Sequence, residues 1–317
     1  MRIAIAGCQW ISAYLLDAFV AAGRAPVLTI APDRALAGHL SGYRDLESAI
    51  RGHGGELYRP RSLNLKHRDD AAAFAAQAID ALVVFGWPRL IPQPILSACR
   101  VGAIGVHGGP APPPRCRGRA VLNWTLILGC ETFHVYAFRL TAGVDDGHIL
   151  ARAQFNIDPR DDIATLYNKH CAVSTRLLLQ SVEDASRAGA LTGTPQDSDG
   201  ATYFPKREPE HGGIDWNAAA SCIANLVRGV TDPYPGAFAD GPQGRATILE
   251  AQAFDDAIAP EGAPGEIVDL FPNGDFVVAA GRGALCVRRW RSNGDFRPMR
   301  GYRFQPKSGI QPPDPVW

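Results

Sequence analysis

The chain has 317 residues with 32 basic and 32 acidic side chains, so its formal net charge is zero. This length indicates about two domains, and the balanced charge argues against a protein that grips nucleic acid by bulk electrostatic attraction. No stretch approaches the roughly 18–20 uninterrupted apolar residues of a membrane span, and the first residues lack the features of a secretory signal. The seven cysteines are scattered without a CxxC pair, which is atypical of a disulfide framework or a zinc site. These features predict a soluble, cytoplasmic protein that needs no metal.

The first half of the chain alternates short apolar runs with helical patterns. The predicted strands are 2–6, 26–31, 81–85 and 101–106, and the predicted helices are 11–22 and 69–79. This alternation is typical of an α/β fold with a Rossmann-like, doubly wound sheet, in which ligands bind beyond the carboxyl ends of the strands. The candidate binding loops are therefore those after Ala6, Phe85 and Val106.

The glycine fingerprint of a dinucleotide site is absent from the first of these loops. The first predicted strand is followed by GCQWIS, with a single glycine where the GxGxxG pattern needs three. Binding of NAD, FAD or a P-loop nucleotide is therefore disfavoured.

The pattern changes after a long amphipathic helix predicted at 163–179. From about residue 201 a polar, punctuated stretch leads to a helix at 218–230, and then to short apolar runs separated by the turns PNG and GRG. Such spacing is typical of a small antiparallel β barrel or sheet. We predict a Rossmann-like catalytic domain over 1–204 and a smaller, barrel-like β domain over 205–317, with 218–230 as a connector helix.

Candidate chemistry is concentrated between residues 102 and 150. His107 directly follows a predicted strand, and Asp145 and Asp146 follow a second apparent strand, HVYAFRL. A histidine and a carboxylate on adjacent strand-end loops can form a general base with an orienting partner. A solvated loop histidine and an ordinary DDG turn are the alternatives that the residues alone leave open. The rigid loop between them carries three arginines, Arg115, Arg117 and Arg119.

Several motifs, in a fixed order over some 200 residues, resemble the N10-formyltetrahydrofolate-dependent formyltransferase family. They are RGRAVLNW, GVDDGHIL, the helical segment DDIATLYNKHCAVSTRLLLQ, YFPKREPEHGGIDW and DPYPGAF. The resemblance is to the sugar-nucleotide formyltransferases, such as the formyltransferase half of the lipid A aminoarabinose enzyme, and more distantly to methionyl-tRNA formyltransferase. It implies a formyltransferase fold with a C-terminal β module.

The resemblance implies catalytic roles for an asparagine, a histidine and an aspartate. The histidine corresponds to His107, the general base, and the aspartate to Asp145, its partner. The asparagine position holds Gly105, so the amide that would stabilise the developing oxyanion is missing. A backbone N–H of Gly108 or Gly109, or the amide of Asn123, is the expected replacement.

The resemblance also implies where the folate carrier and the acceptor bind. The carrier, N10-formyltetrahydrofolate, is expected at the loop after Phe85 and near Asp146; its loop contacts are Gly86, Trp87, Arg89, Leu90 and Ile91. A tryptophan that packs the sheet edge is the alternative for Trp87. The arginines of the 115–119 loop are expected to bind an anionic group of the acceptor, or else to form a solvated loop face.

The acceptor itself is left open by the residues. The absence of a basic surplus disfavours tRNA, so the expected partner is a small-molecule amine such as an amino sugar nucleotide, an amino acid or a natural-product precursor, with no nucleic acid and no membrane. A formyltetrahydrofolate hydrolase, a folate-binding homologue without turnover and a scaffold for other acyl chemistry are the alternative functions. A homodimer is one assembly that the sequence leaves open.

Overall fold

A computed structural model describes residues 1–258 and 261–306, and its first part is built around one mixed sheet. The strands of this part are β1 (Ile3–Ala6), β2 (Leu28–Ile30), β3 (Glu56–Tyr58), β4 (Ala81–Val84), β5 (Gly102–Gly109), β6 (Arg117–Gly118), β7 (Thr132–Arg139) and β8 (Ile149–Asn156). The helices are α1 (Trp10–Ala21), α2 (Arg34–Ala37), α3 (Glu47–Ile50), α4 (Arg68–Ala76), α5 (Gln93–Ala98), α6 (Val121–Ile127) and α7 (Ile163–Ala188).

The large sheet has the order β3-β2-β1-β4-β5-β7-β8 and confirms the predicted doubly wound fold. Its first five strands are parallel to one another. Strand β7 runs antiparallel to β5, and β8 runs antiparallel to β7. Alternate residues of β1 belong to two buried clusters. Ile3 and Ile5 pack with α1 and α7, whereas Ala4 and Ala6 pack with α4 and α5. Helices therefore cover both faces, which is why the central strands are continuously apolar.

The structure differs from the predicted elements in several places, of which β5, β8 and α7 bear on the site. Strand β5 continues to Gly109, because its last residues pair with β7 after β4 has ended. Strand β8 was not predicted: it is an edge strand in which partly buried and exposed residues alternate from Ala151 onwards, and Arg152 and Gln154 interrupt any apolar run. Helix α7 extends to Ala188 and ends at Gly189, whose φ of 72° suits a glycine C-cap.

The second part of the chain is a separate antiparallel sheet with one long helix. It contains β9 (Tyr203–Phe204), a 3₁₀ turn (Pro209–Gly212), α8 (Ala220–Val230), β10 (Ala237–Gly241), β11 (Gly244–Ala253), β12 (Ile267–Leu270), β13 (Phe276–Ala279) and β14 (Ala284–Gly294). The five strands β10 to β14 form a sheet in the order β10-β11-β14-β13-β12, confirming the predicted small antiparallel unit. The last residues of the predicted second domain, 307–317, lie outside the described residues.

Helix α8 shares one buried cluster with this second sheet. Ile223 and Val227 of the helix pack with Ile248, Phe276 and Val287. The helix predicted as a connector therefore also covers one face of the antiparallel sheet. Within the described ranges, no helix is both long enough and apolar enough to cross a membrane.

Candidate functional site

The predicted site edge is shaped by the turn that follows β4. The hydroxyl of Ser12 donates a hydrogen bond of 2.6 Å to the carbonyl of Phe85 and so ties α1 to this turn. Gly86 then adopts a φ of 74°, and a Cβ there would lie 2.6 Å from the Ser12 hydroxyl. Only glycine fits this position without strain, and the chain turns sharply at the carboxyl end of β4.

His107 lies in β5, two residues before the strand ends, and its side chain is only 12% exposed. Its Nε2 is 2.9 Å from the carbonyl oxygen of Cys116 and 3.7 Å from Oδ2 of Asp145. A carbonyl oxygen only accepts, so this contact requires a proton on Nε2 and leaves Nδ1 of the neutral ring as the acceptor. The imidazole is therefore held in the tautomer that can take up a proton at Nδ1.

Asp145 is brought to His107 by a strained turn. Its φ is 52°, in the left-handed region, and its Oδ2 accepts a hydrogen bond of 3.1 Å from the backbone N–H of Gly118. Its own carbonyl accepts from the amide of Gln196 at 2.9 Å. The side chain is thus fixed close to the protonated Nε2 of the imidazole.

The loop that supports both residues is itself held by the segment before β9. The N–H of Cys116 donates to the hydroxyl of Thr202, the N–H of Arg117 donates to the carbonyl of Thr202, and β6 pairs with β9. Cys116 is 1% exposed, so it contributes its carbonyl and not its thiol to the site. The sequence did not reveal these supporting groups, since backbone carbonyls and N–H groups leave no residue-type signal.

The position of the missing amide is filled by hydrocarbon. A Cβ on Gly105 would lie 2.7 Å from Cδ2 of Leu140 and 3.3 Å from Cζ of Phe138. Restoring an asparagine there therefore requires these side chains to move.

Gly105→Asn is expected to lower the free energy of unfolding by about 1–3 kcal/mol, because it overpacks a filled region. Urea denaturation of the variant and the parent measures this difference. Adding Leu140→Ala to Gly105→Asn supplies room, so the double variant is expected to lose less stability than the sum of the two single variants. Simple additivity would contradict the overpacking account.

Asn123 does not face an oxyanion position. It is 3% exposed on α6, and its amide donates a hydrogen bond of 2.8 Å to the carbonyl of Gly229 at the end of α8. This contact fastens α6 to the second part of the chain. The expectation that the Asn123 amide replaces the missing donor is therefore wrong, because that amide donates to the Gly229 carbonyl and also to the hydroxyl of Tyr234.

The three arginines of the loop point to different places. Arg117 is 3% exposed, and its guanidinium donates to the side chains of Gln196 and Tyr203, so the expectation that it binds an acceptor is wrong. Arg115 is exposed and lies outside the described clefts. Of the three, Arg119 alone lines the large cleft between loops and helices of the two parts of the chain.

The predicted carrier loop also divides between two places. Leu90 and Ile91 line a cavity of about 580 Å³ together with Leu65 and Ala142. Arg89 instead faces the cleft that Arg119 lines.

Two other residues expected to contact the carrier have internal partners. The indole N–H of Trp87 donates to the carbonyl of Leu63 at 3.1 Å, and its ring packs on a buried cluster, as the alternative interpretation proposed. Asp146 accepts a hydrogen bond from the hydroxyl of Thr141 and closes its own turn. Both are therefore placed as structural supports beside the candidate carrier cavity.

A second histidine lies buried near the candidate site. His170 of α7 is 8% exposed, contacts Phe85 and Phe133 edge-on, and lies 3.3 Å from the hydroxyl of Ser174 through its Nδ1. Burial, with a smaller effect of His107, lowers the pKa of His170 from 6.5 to about 3. The ring is therefore neutral in the folded protein.

This lowered pKa predicts a pH-dependent stability. Below about pH 6.5 the unfolded chain binds a proton at His170 that the folded chain excludes. The free energy of unfolding therefore decreases as the pH is lowered, by up to about 1.4 kcal/mol per pH unit. His170→Leu is expected to reduce this slope in urea denaturations between pH 6.5 and pH 4.5. Replacement of the exposed His148 by leucine is the control, and equal slopes for His170→Leu and the parent would contradict the assignment.

Comparison with known protein families agrees with this architecture. Residues 15–182 match the family model described as formyl transferase, and residues 206–304 match the model of the formyl transferase C-terminal domain. The chain belongs to the formyltransferase family, and it is an enzyme that transfers formyl groups.

Similar proteins act on different acceptors. The methionyl-tRNA formyltransferases of Burkholderia mallei and Burkholderia vietnamiensis are each 34% identical to this chain, covering 95% of it and 93% of their own length. HypX from Aquifex aeolicus in complex with tetrahydrofolic acid has a TM-score of 0.65 at 20% identity, covering 92% of this chain and 44% of HypX. The sugar 3N-formyltransferase WlaRD, solved with dTDP and 5-N-formyl-THF, has a TM-score of 0.65 at 14% identity, covering 93% of this chain and 99% of that protein. Family and fold together support folate as the formyl donor.

Proposed function

We propose that this enzyme transfers the formyl group of N10-formyltetrahydrofolate to the amine of a small anionic molecule, with His107 as the general base. The observation that carries the proposal is the placement of His107, whose Nε2 lies 2.9 Å from the Cys116 carbonyl and 3.7 Å from Asp145. This placement leaves Nδ1 as the proton acceptor. General-base catalysis of this kind contributes about 10²–10⁴-fold to a rate.

The residues around the strand ends fit a folate carrier. The cavity of about 580 Å³ beside Leu90 and Ile91 has the size of a small-molecule site and an apolar wall suited to a flat heterocycle. The carrier supplies the electrophilic formyl carbon. His107 takes the proton that the attacking amine loses, Asp145 stabilises the resulting imidazolium, and the proton passes to N10 of the carrier as the bond between N10 and the formyl carbon breaks. The products are a formamide and tetrahydrofolate.

The acceptor is proposed to bind in the cleft between the two parts of the chain. This cleft has a volume of about 590 Å³ and is lined by four basic side chains and one carboxylate: Arg89, Arg119, Lys206, Arg207 and Glu208. Lys206 pairs with Glu208, whereas Arg207 lies 4.6 Å from the Trp124 ring, and burial lowers its pKa to about 10. Among the described residues the Arg207 guanidinium is bonded to the carbonyl of His211 and not to a carboxylate, and such a partly desolvated cation favours an anionic group of the ligand.

A small acceptor is favoured over tRNA by the charges of the second sheet. Four arginines of this region are already paired with carboxylates: Arg245 with Asp240, Arg288 with Glu250, Arg289 with Asp232 and Arg300 with Asp269. Paired cations contribute little to phosphate binding, because binding a phosphate would break the existing ion pairs. Methionyl-tRNA remains the second candidate, favoured by the full-length similarity to methionyl-tRNA formyltransferases.

A product-mass assay separates these functions. The protein is incubated with 10-formyltetrahydrofolate and, in separate reactions, methionyl-tRNA, anionic amines such as amino sugar nucleotides, neutral amines, or buffer alone. The proposal expects an added CO unit on an anionic amine. An added CO on methionyl-tRNA alone would select the second candidate, formate release in buffer at the same rate would indicate a hydrolase, and no consumption of donor would indicate a folate-binding protein without turnover.

Arg119→Gln is expected to raise the KM for an anionic acceptor at least several-fold with little change in kcat, because it removes binding that the ground state and the transition state share. Steady-state kinetics with the acceptor varied checks this. Arg115→Gln, on the same loop but outside the cleft, is the matched control. Equal KM values for the two variants would place the acceptor elsewhere.

A further inference from the structure

We propose that the backbone N–H of Gly108 donates the hydrogen bond to the formyl oxygen, in place of the amide that Gly105 lacks. This inference rests on the proposed function, since it needs the formyl group to lie beside His107. Neither candidate amide is available, because Leu140 and Phe138 fill the space at Gly105 and the Asn123 amide is bonded to Gly229. The donor must therefore come from the backbone of β5 or its surroundings.

Two hydrogen bonds fix the direction of each N–H along β5. The N–H of Gly102 donates to the carbonyl of Asp80 beside β4, and the N–H of Leu140 donates to the carbonyl of Ala103 beside β7. In a strand the N–H and the carbonyl of one residue point to the same side, and successive residues alternate. The N–H groups of even-numbered residues of β5 therefore point towards β4, and those of odd-numbered residues point towards β7. The β5–β7 register is unbroken from Ile104 to Gly109, so this alternation holds to the end of the strand.

The alternation separates the two backbone candidates. The N–H of Gly109 points at His134, its partner on β7, and is used in the ladder. The N–H of Gly108 points to the opposite side, where β4 has already ended at Val84, the partner of Gly105. A continuing strand would offer Gly108 the carbonyl of Gly86, but that carbonyl accepts from both the N–H and the thiol of Cys8 at 3.2 Å.

The Gly108 N–H therefore faces the gap between β5 and the turn at Gly86, next to His107. The backbone that carries it is tightly held, because a Cβ on Gly108 would lie 2.3 Å from the His134 carbonyl and 2.5 Å from the Phe133 ring. A fixed backbone donor beside the general base suits an oxyanion, since little reorganisation is needed when the charge develops. A buried backbone N–H normally has a partner, and the formyl oxygen supplies one here.

The first test observes this N–H directly and needs no acceptor. The chain contains three His-Gly pairs, His53–Gly54, His107–Gly108 and His211–Gly212. If histidine carbonyls are labelled with ¹³C and glycine nitrogens with ¹⁵N, an NMR spectrum that correlates each amide with the preceding carbonyl contains only three signals. The signals of Gly54 and Gly212 are assigned by their disappearance in His53→Gln and His211→Gln. The probes are 10-formyl-5,8-dideazafolate, a stable formyl-bearing carrier analogue, and 5,8-dideazafolate, which lacks the formyl group.

The expected result is a downfield shift of the Gly108 amide proton with the formyl analogue that the unformylated analogue does not produce, with Gly54 unchanged by both. If both analogues bind but leave Gly108 in the same position, the Gly108 proposal is overturned while folate binding stands. If neither analogue binds by calorimetry, the proposed function fails and the inference fails with it.

The second test removes only the N–H. Incorporating glycolic acid at position 108 by cell-free translation replaces the amide by an ester, and consumption of 10-formyltetrahydrofolate is expected to fall about 10²–10³-fold in kcat, the usual effect of losing one oxyanion donor. Glycolic acid at Gly102, whose N–H bonds to Asp80 at the far end of the strand, is the matched control. Equal rates for both esters would overturn the proposal, and parental turnover in His107→Ala would overturn the proposed function separately.

Discussion

His107→Ala is expected to lower kcat for formyl transfer by about 10²–10⁴-fold, the usual contribution of a general base. The structure gives the imidazole a fixed tautomer through the Cys116 carbonyl, so that Nδ1 is available to take the amine proton. The side chain that this substitution removes is 12% exposed. Among the described contacts, its hydrogen bond is made through Nε2 alone. Stopped-flow consumption of 10-formyltetrahydrofolate, at saturating acceptor, measures the loss.

Two controls keep this result interpretable. His148→Ala removes an exposed histidine directly before β8 and is expected to leave turnover unchanged. Binding of 5-formyltetrahydrofolate to His107→Ala by calorimetry is expected to match that of the parent, because the proposed carrier cavity is lined by other residues. If the alanine variant kept most of its activity with both controls intact, another group would be the base.

Asp145→Asn is expected to lower kcat by about 10²–10³-fold, in the range of lost transition-state electrostatics. Asparagine retains an oxygen that can accept from the Gly118 N–H, so the turn is preserved while the negative charge beside Nε2 of His107 is removed. The decisive comparison is with Asp146→Asn, an exposed neighbour whose partner is Thr141. Equal losses in the two variants would mean that the turn, and not the charge at position 145, supports turnover.

The order of the elements was predictable because burial on both faces leaves a strong signal. Continuous apolar runs such as residues 3–6 and 81–84 are typical of strands that helices cover on both sides of a sheet. Strand β8 left no such signal, since every second residue faces solvent and polar side chains are tolerated there. The end of β5 was equally hidden, because it depends on pairing with β7 and not on the composition of GVHGG.

The site was partly predictable for a related reason. The proximity of His107 to Asp145 was expected from adjacent strand-end loops, but its structural basis is different. Strands β5 and β7 are antiparallel, so their carboxyl ends lie at opposite ends of the sheet, and Asp145 is held beside His107 by the N–H of Gly118 and the amide of Gln196. The fates of Arg117 and Asn123 were not predictable, because their partners, Gln196 and Gly229, are 79 and 106 residues away along the chain. Residue type indicates what a side chain can do, whereas burial and distant partners decide whether it is free to do it.

The pairing of β6 with β9 sets the size of the smallest catalytic unit. The carbonyl that fixes the His107 tautomer and the N–H that holds Asp145 both belong to a loop that Thr202, Tyr203 and Phe204 bind from outside the large sheet. A fragment that stopped after α7, at Gly189, would include every residue that we propose for proton transfer and still lack the strand that positions them. A fragment of this enzyme must therefore extend beyond Phe204 to keep the loop that positions His107 and Asp145.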